Sequence, residues 1–128
     1  MLIMESKDYR FGKLNICEDG IIELKSDFES FELQDYKDLF IAIKDISGGK
    51  LMPYMTDERG KQRYMDNKSK KFLNDNLHLH VSACAIIENS AVLRFLTHTY
   101  VSIYKPKAPM RMFKTKKEAK EWLRTFND

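Results

Sequence analysis

Only two cysteines occur in the 128 residues, Cys17 and Cys84, and they do not form a CxxC pair. This excludes the common zinc-ligand and redox-dithiol spacings. Both fall in predicted strands, where a free thiol packs as a small hydrophobe. Long hydrophobic runs are also missing, since none approaches the roughly 20 residues a helix needs to cross a bilayer. The opening segment Met1–Asp8 passes quickly from apolar residues to charges. It lacks the basic start and longer apolar core of a secretory leader, so the expectation is a cytoplasmic protein with no membrane span. Catalytic signatures are equally scarce. No GxSxG elbow surrounds a serine, and no glycine-rich loop ending in lysine offers a phosphate cradle. No repeat, low-complexity tract or linker interrupts the chain, so residues 1–128 read as one domain, long enough to bury a core.

What is present is ordinary in amount and uneven in placement. A hydrophobic share of 43% and a charged share of 32% suit a soluble globular domain. The formal net charge of +3 is mild. Glu18 to Asp45 is predominantly acidic, whereas Lys105, Lys107, Arg111, Lys114, Lys116, Lys117 and Lys120 are opposed by Glu118 alone. Such asymmetry steers an anionic partner or merely solvates a face. Tyr104 among these cations suits a groove that tracks a nucleic-acid backbone. No nucleic-acid motif accompanies it, and three of the lysines are expected on the solvent face of the last helix, so nucleic acid is not the expected partner.

Periodicity gives the elements. Tyr9–Ile16 reads as a strand, Asp19-Gly20 as a hairpin turn in which glycine accepts positive φ cheaply, and Ile21–Leu24 as the return strand. Tyr36, Leu39, Phe40 and Ile43 recur at i, i+3, i+4 and i+7, predicting a helix over about Leu33–Ile46 that Gly48-Gly49 stops. Leu51–Met55 reads as a short strand made irregular by Pro53, which has no amide to donate. A polar loop from Asp57 to Arg63 precedes a helix over about Asn67–Asn74, N-capped by Asp66 and anchored by Phe72 and Leu73. Leu79–Ile87 is the expected central strand. Its Val81, Ala83, Ala85 and Ile87 lie on one face, with Cys84 and Ile86 on the other, which predicts a sheet covered on both sides. Ser90 opens a helix to about Ile103, and Pro106 and Pro109 forbid its continuation. Met110–Phe113 is a last strand. Thr115-Lys116-Lys117-Glu118 is a capping box for a final helix that docks Ala119, Trp122, Leu123 and Phe126. The order ββαβαβαβα predicts an α/β fold with a mixed, mostly parallel five-stranded sheet, helices on both faces and right-handed crossovers.

Three stretches carry a resemblance: Ala85-Ile86-Ile87-Glu88-Asn89-Ser90-Ala91-Val92-Leu93-Arg94, then Lys105-Pro106-Lys107-Ala108-Pro109-Met110-Arg111-Met112-Phe113, then Glu118-Ala119-Lys120-Glu121-Trp122-Leu123. This succession of strand, serine cap, helix, Lys-Pro-x-x-Pro turn, strand ending in Phe and helix ending in Trp-Leu resembles the bacterial SpoIIAA-like/STAS-type domains, in particular small stand-alone members of unknown function. The resemblance implies a binding or switch module in bacterial signalling. The regulatory type carries a phosphorylatable Ser or Thr where a strand meets a helix, often as Asp-Ser-x-Gly. Here that place reads Thr56-Asp57-Glu58-Arg59-Gly60, with no serine after Asp57. Related lipid-transfer folds build an apolar cavity, for which 128 residues leave little room.

Candidate sites are weighed against plainer roles. His78 and His80 alternate along what reads as a strand end. With Cys84 or His98 they offer zinc-ligand chemistry but no recognised spacing, so neither metal nor cofactor is expected. Ser90 is more simply an N-cap than a nucleophile, and no catalytic residue is expected. Asp57 ends a strand on the side where open α/β sheets take ligands, against the plainer role of a turn carboxylate. Thr56, Asp57 and Ser69 are the binding or switch candidates, with Thr56 and Ser69 the hydroxyls for phosphorylation. In the helix after Ser90, Leu93, Leu96, Tyr100 and Ile103 form a core-facing row, while Val92, Phe95, Thr99 and Val101 extend apolar surface beyond it. A helix apolar over most of its girth needs further cover. Phe95, Tyr100 and Tyr104 are therefore candidates for contact with a protein partner or a second copy, a homodimer, unless the last helix or the Lys105–Pro109 turn covers them. The expected function is a non-enzymatic binding or regulatory module acting through protein contacts, by way of the Thr56–Arg63 loop and this helix. The alternative is a small-molecule or lipid-binding domain.

Overall fold

The structure, a computed structural model, describes residues 3–61 and 65–127. Among these residues six strands and four α-helices follow one another as β1 (Ile3–Tyr9), β2 (Gly12–Cys17), β3 (Ile22–Lys25), α1 (Leu33–Ser47), β4 (Met52–Asp57), α2 (Asn67–Asn76), β5 (Val81–Ile87), α3 (Ala91–Tyr104), β6 (Met110–Phe113) and α4 (Lys116–Arg124). The strands lie side by side in chain order. β1, β2 and β3 pair antiparallel, and β3 to β6 run parallel. Three parallel crossovers stepping in one direction put α1, α2 and α3 on the same face if all are right-handed. α4, which follows the last strand, packs beneath β4, β5 and β6 on the other.

The sheet has one strand more than the periodicity predicts. β1 is exposed along its length, with charges between its few apolar residues, so no buried face sets a period of two there. The predicted strand Tyr9–Ile16 spans the turn into β2. Gly12 makes that turn with φ of +149°, and a Cβ on it would stand 2.4 Å from the Lys25 carbonyl oxygen. Only glycine permits so close a backbone approach. The other elements fall within a few residues of expectation. Asp66 caps α2 by accepting from the Ser69 amide at 2.8 Å, Ser90 caps α3, Thr115 caps α4, and Gly48 ends α1 in the left-handed conformation.

Side chains of the front face pack under α1 and α2: Leu14, Ile22, Leu24, Tyr54 and Cys84 from the sheet meet Tyr36, Leu39, Phe40 and Ile43 from α1. The back face is built for close approach. Ala83 and Ala85 of β5 lie against Ala119 and Leu123 of α4, all inaccessible to solvent. Val81 belongs to the front rather than to the Ala83 face. The register slips between Met52 and Pro53, so Val81 pairs with Met52 while Ala83 pairs with Pro53. The irregularity expected at Pro53 thus reverses one side chain of the neighbouring strand. Beyond α4 the back face turns polar. Buried Asn15 and Glu23 face Lys116, whose ammonium lies 2.5 Å from Glu23. Asp19 lies 3.8 Å from Lys120 and 3.2 Å from Arg124. Lys120 is therefore buried, not on the solvent face of α4 as expected.

Candidate functional site

None of the 14 residues of α3 is fully buried. The helix leans on β6 at the sheet edge, while α1 and α2 pack on each other over the other half of the front face. Between them is a cleft of about 540 Å³, within the roughly 300–1,000 Å³ typical of small-molecule sites. Its floor is the front face of the parallel strands: Leu24, Tyr54, Cys84, Ile86, Met110 and Met112. Phe31, Tyr36, Leu39, Phe40, Leu73 and Leu77 form one wall. Leu93, Leu96, Tyr100, Ile103 and Tyr104 of α3 form the other. The expectation that the chain leaves little room for a cavity is therefore corrected. The core-facing row predicted on α3 is only partly covered: Leu93 and Tyr100 are half-buried, whereas Leu96 and Ile103 are 55% and 67% exposed and form the lip of the cleft.

Polar groups gather where the strands end. Thr56 ends the floor on β4 and its hydroxyl donates to Glu58 Oε2 at 3.4 Å. Buried Glu88, after β5, accepts from the Ser90 amide at 3.0 Å. Lys61 and Lys70 complete this rim, and Lys61 donates to the Ser26 carbonyl. Across the cleft the Tyr100 hydroxyl donates to the Lys70 carbonyl at 3.3 Å, and its ring stacks on Tyr104 at 4.8 Å. Burial pushes the Tyr100 phenol up, with Tyr104 and Asp75 adding to it. The Cys84 thiol in the floor is pushed up to about 12, first by burial and then by the Glu58 carboxylate. It is a neutral, apolar part of the surface rather than a nucleophile, since only the thiolate attacks.

The predicted site residues divide. Thr56 lines the cleft at its polar end. Asp57, on the opposite face of the same strand, is held by Arg59, whose Nε and guanidinium nitrogen lie at 2.9 and 2.6 Å and whose amide donates at 3.1 Å. Those bonds keep its carboxyl below the ordinary range and make it a turn residue. Ser69 lies at the start of α2 and is 1% exposed. Tyr100 and Tyr104 face the cleft, while Phe95 points away from it, 68% exposed. Gln62 and Arg63 of the predicted loop lie outside the described residues. His78 and His80 are not on a strand: His78 sits in a short 3-10 turn, Leu77–Leu79, and His80 follows it, stacked on Phe40 at 5.1 Å. Burial lowers the His80 imidazole, with Lys44 and His78 acting in the same direction. Among the described residues no three His, Cys, Asp or Glu side chains are grouped to hold a metal ion, and no helix is long and apolar enough to cross a membrane.

A second hollow, of about 580 Å³, lies beside the β1–β2 turn and the end of β4. Most of its charges answer one another. Arg10 reaches Asp35 and Asp38 at 2.6 and 2.7 Å, Arg59 reaches Asp57 at 2.6 Å, and Lys116 reaches Glu23 at 2.5 Å. The apolar cleft is the stronger candidate. Periodicity missed Leu24, Tyr54, Ile86 and Met112 as its lining. A usable signal was present, because the apolar residues on both faces of β5 and around α3 exceed what one short helix covers.

A solved structure of similar shape is an uncharacterised protein of the DUF3478 family from Shewanella loihica PV-4, described as having a SpoIIAA-like fold. It is 14% identical, the match covers 93% of this chain and 90% of that one, and the TM-score is 0.56. The likeness establishes the fold and supports the resemblance carried by the C-terminal motifs. No curated protein matches the chain in sequence. Residues 16–127 match the model of a family described as a domain of unknown function, DUF7793, and the chain belongs to that family.

Proposed function

We propose that the protein is a non-enzymatic binding module whose front cleft takes the alkyl or aryl body of a small amphiphile, with the polar end of that ligand at the Thr56, Glu58, Lys61 and Glu88 rim. The observation that carries this reading is the apolar cleft of about 540 Å³ between Ile86 and Met112 of the sheet and Leu93 and Tyr100 of α3. An apolar pocket with a few polar groups at one end is the usual design of a small-molecule site. The rim holds both signs of charge, which suits a neutral or zwitterionic head better than a strongly anionic one. Occupancy of the cleft is also the switch this arrangement supports. Thr56 and Ser69 are nearly sealed, at 8% and 1% exposure, so a kinase reaches neither without opening the fold. The test is displacement of a dansyl fatty acid by monomeric monoacyl lipids, on the wild type and on Ile86→Trp. Tryptophan there fills the floor without invading the core, because Ile86 is only half-buried. Binding by the wild type that Ile86→Trp loses, with an unchanged circular dichroism spectrum, supports the proposal. Absence of displacement, or equal binding by both, overturns it.

A further inference from the structure

The outer side of α3 is apolar and unpartnered among the described residues, and the chain segment that carries it has cations and no acid. Val92 and Phe95 stand clear of the cleft, Leu96 and Ile103 form its lip beside them, and the four recur at spacings of three, four and seven as one stripe, with each residue more than half exposed. Such a stripe on a soluble domain marks a contact surface. Its chemical setting narrows the partner. From Asn89 to Lys117 there is no acidic residue, and Arg94, Lys105 and Lys107 lie in α3 and the turn after it. On the neighbouring helix Asp75 is answered by Lys71 at 2.7 Å. A second copy placed face to face would set these cations against their own images, with no carboxylate between Asn89 and Lys117 to answer them. An anionic bilayer instead offers hydrocarbon to the stripe and phosphates to its flanks, the arrangement of an interfacial amphipathic helix.

We propose that α3 docks the protein on an anionic phospholipid surface, with Phe95 and Ile103 inserted among the acyl chains and Lys105 and Lys107 at the headgroups. The inference goes beyond the cleft and does not need it to be occupied. Docking would, however, bring the lip formed by Leu96 and Ile103 to the depth of the acyl chains.

The test is flotation of the full chain with vesicles of phosphatidylcholine alone and of phosphatidylcholine and phosphatidylglycerol in equal parts. Each cation near an anionic surface strengthens binding about fivefold, so Lys105→Asn with Lys107→Gln is expected to weaken binding roughly 25-fold. Asparagine keeps the left-handed backbone of Lys105, whose φ is +47°, within easy reach. Phe95→Glu and Val92→Glu alter exposed side chains that do not line the cleft and are expected to abolish flotation with the fold intact by circular dichroism. Binding to anionic vesicles that weakens with salt and fails in Phe95→Glu supports the proposal. Equal binding to neutral vesicles, insensitivity to Phe95→Glu, or no binding overturns it. If flotation fails while light scattering finds a dimer that Phe95→Glu dissolves, a second copy is the occupant instead. Dansyl fatty-acid displacement by Phe95→Glu in free solution separates the two proposals: retained displacement with lost flotation keeps the cleft reading apart from the docking reading.

Discussion

Lengthening the alkyl chain of a ligand tests the cleft by its physics rather than by a named compound. Burying one methylene completely is worth about 0.8 kcal/mol, which is roughly fourfold in affinity. The lip at Leu96 and Ile103 stays exposed, so a chain lying along the cleft keeps one side partly wet, and the expected gain is about two- to fourfold per methylene. From about eight to about twelve carbons the dissociation constant should fall roughly 20- to 200-fold. The gain should then stop, since a cleft of about 540 Å³ is finite and further methylenes extend into water. Displacement titrations run below the critical micelle concentration give the slope, and Ile86→Trp should bring the plateau to a shorter chain. Binding should also raise the melting temperature: ligand at about 100 times its dissociation constant adds about 2.7 kcal/mol, near 10 °C at roughly 4 °C per kcal/mol. A constant affinity across the series would refute the reasoning, because a surface that does not bury the chain has no means of counting methylenes.

Four further outcomes follow from the same geometry. Gly12→Ala should cost about 2–3 kcal/mol and lower the melting temperature by roughly 10 °C, since its Cβ meets the Lys25 carbonyl oxygen at 2.4 Å; an unchanged melting curve would show that the turn relaxes freely. Leu123→Ala, under the sheet and inaccessible to solvent, should cost about 2–5 kcal/mol in urea unfolding, without changing ligand affinity. Burial works to raise the Glu23 carboxyl, but Lys116 and Asn15 outweigh it and hold it below its ordinary 4.5. Its contribution is therefore present above that value and is lost as the pH falls through the depressed native one, and Lys116→Met should flatten the stability profile over that acidic window. Finally, Cys84 should resist a thiol reagent at pH 8 until the protein is unfolded, because its proton is held to about 12; rapid labelling of the native protein would place this thiol in water.

Local chemistry was most legible where one short pattern decides the outcome. Asp66, Ser90 and Thr115 cap the helices their spacing announced, and Gly48 ends α1 with positive φ. The alternation of strands with helices was enough to place β3 to β6 parallel, and the uncharged, mostly apolar β5 was enough to place it inside. Less legible was whatever depends on how much surface a neighbour leaves uncovered. β1 pairs through its backbone and buries almost none of its side chains, so its pattern carries no signature. Lys120 looks like a solvent-facing lysine until Asp19, remote in the chain, is brought within 3.8 Å. Leu96 and Ile103 fall on the face that should be buried, and periodicity has no means of recording that the opposing layer stops short of them.

That gap between α3 and its neighbours fits a division of labour within the fold. The buried clusters on both faces of the sheet draw on α1 and α4, with Leu77 from the turn after α2, and on no residue of α3. Because α3 contributes so little to the core, its substitutions should be nearly silent in stability: Phe95→Glu and Ile103→Glu belong with the surface changes that stay within about 0.5 kcal/mol. A helix with strong apolar character that the core does not use is an exposed liability for a soluble protein unless another surface takes it up. In this fold the inner side of that helix closes a cleft and its outer side carries a stripe among cations. On the two proposals, one element would serve a ligand and a membrane without loosening the structure that holds it.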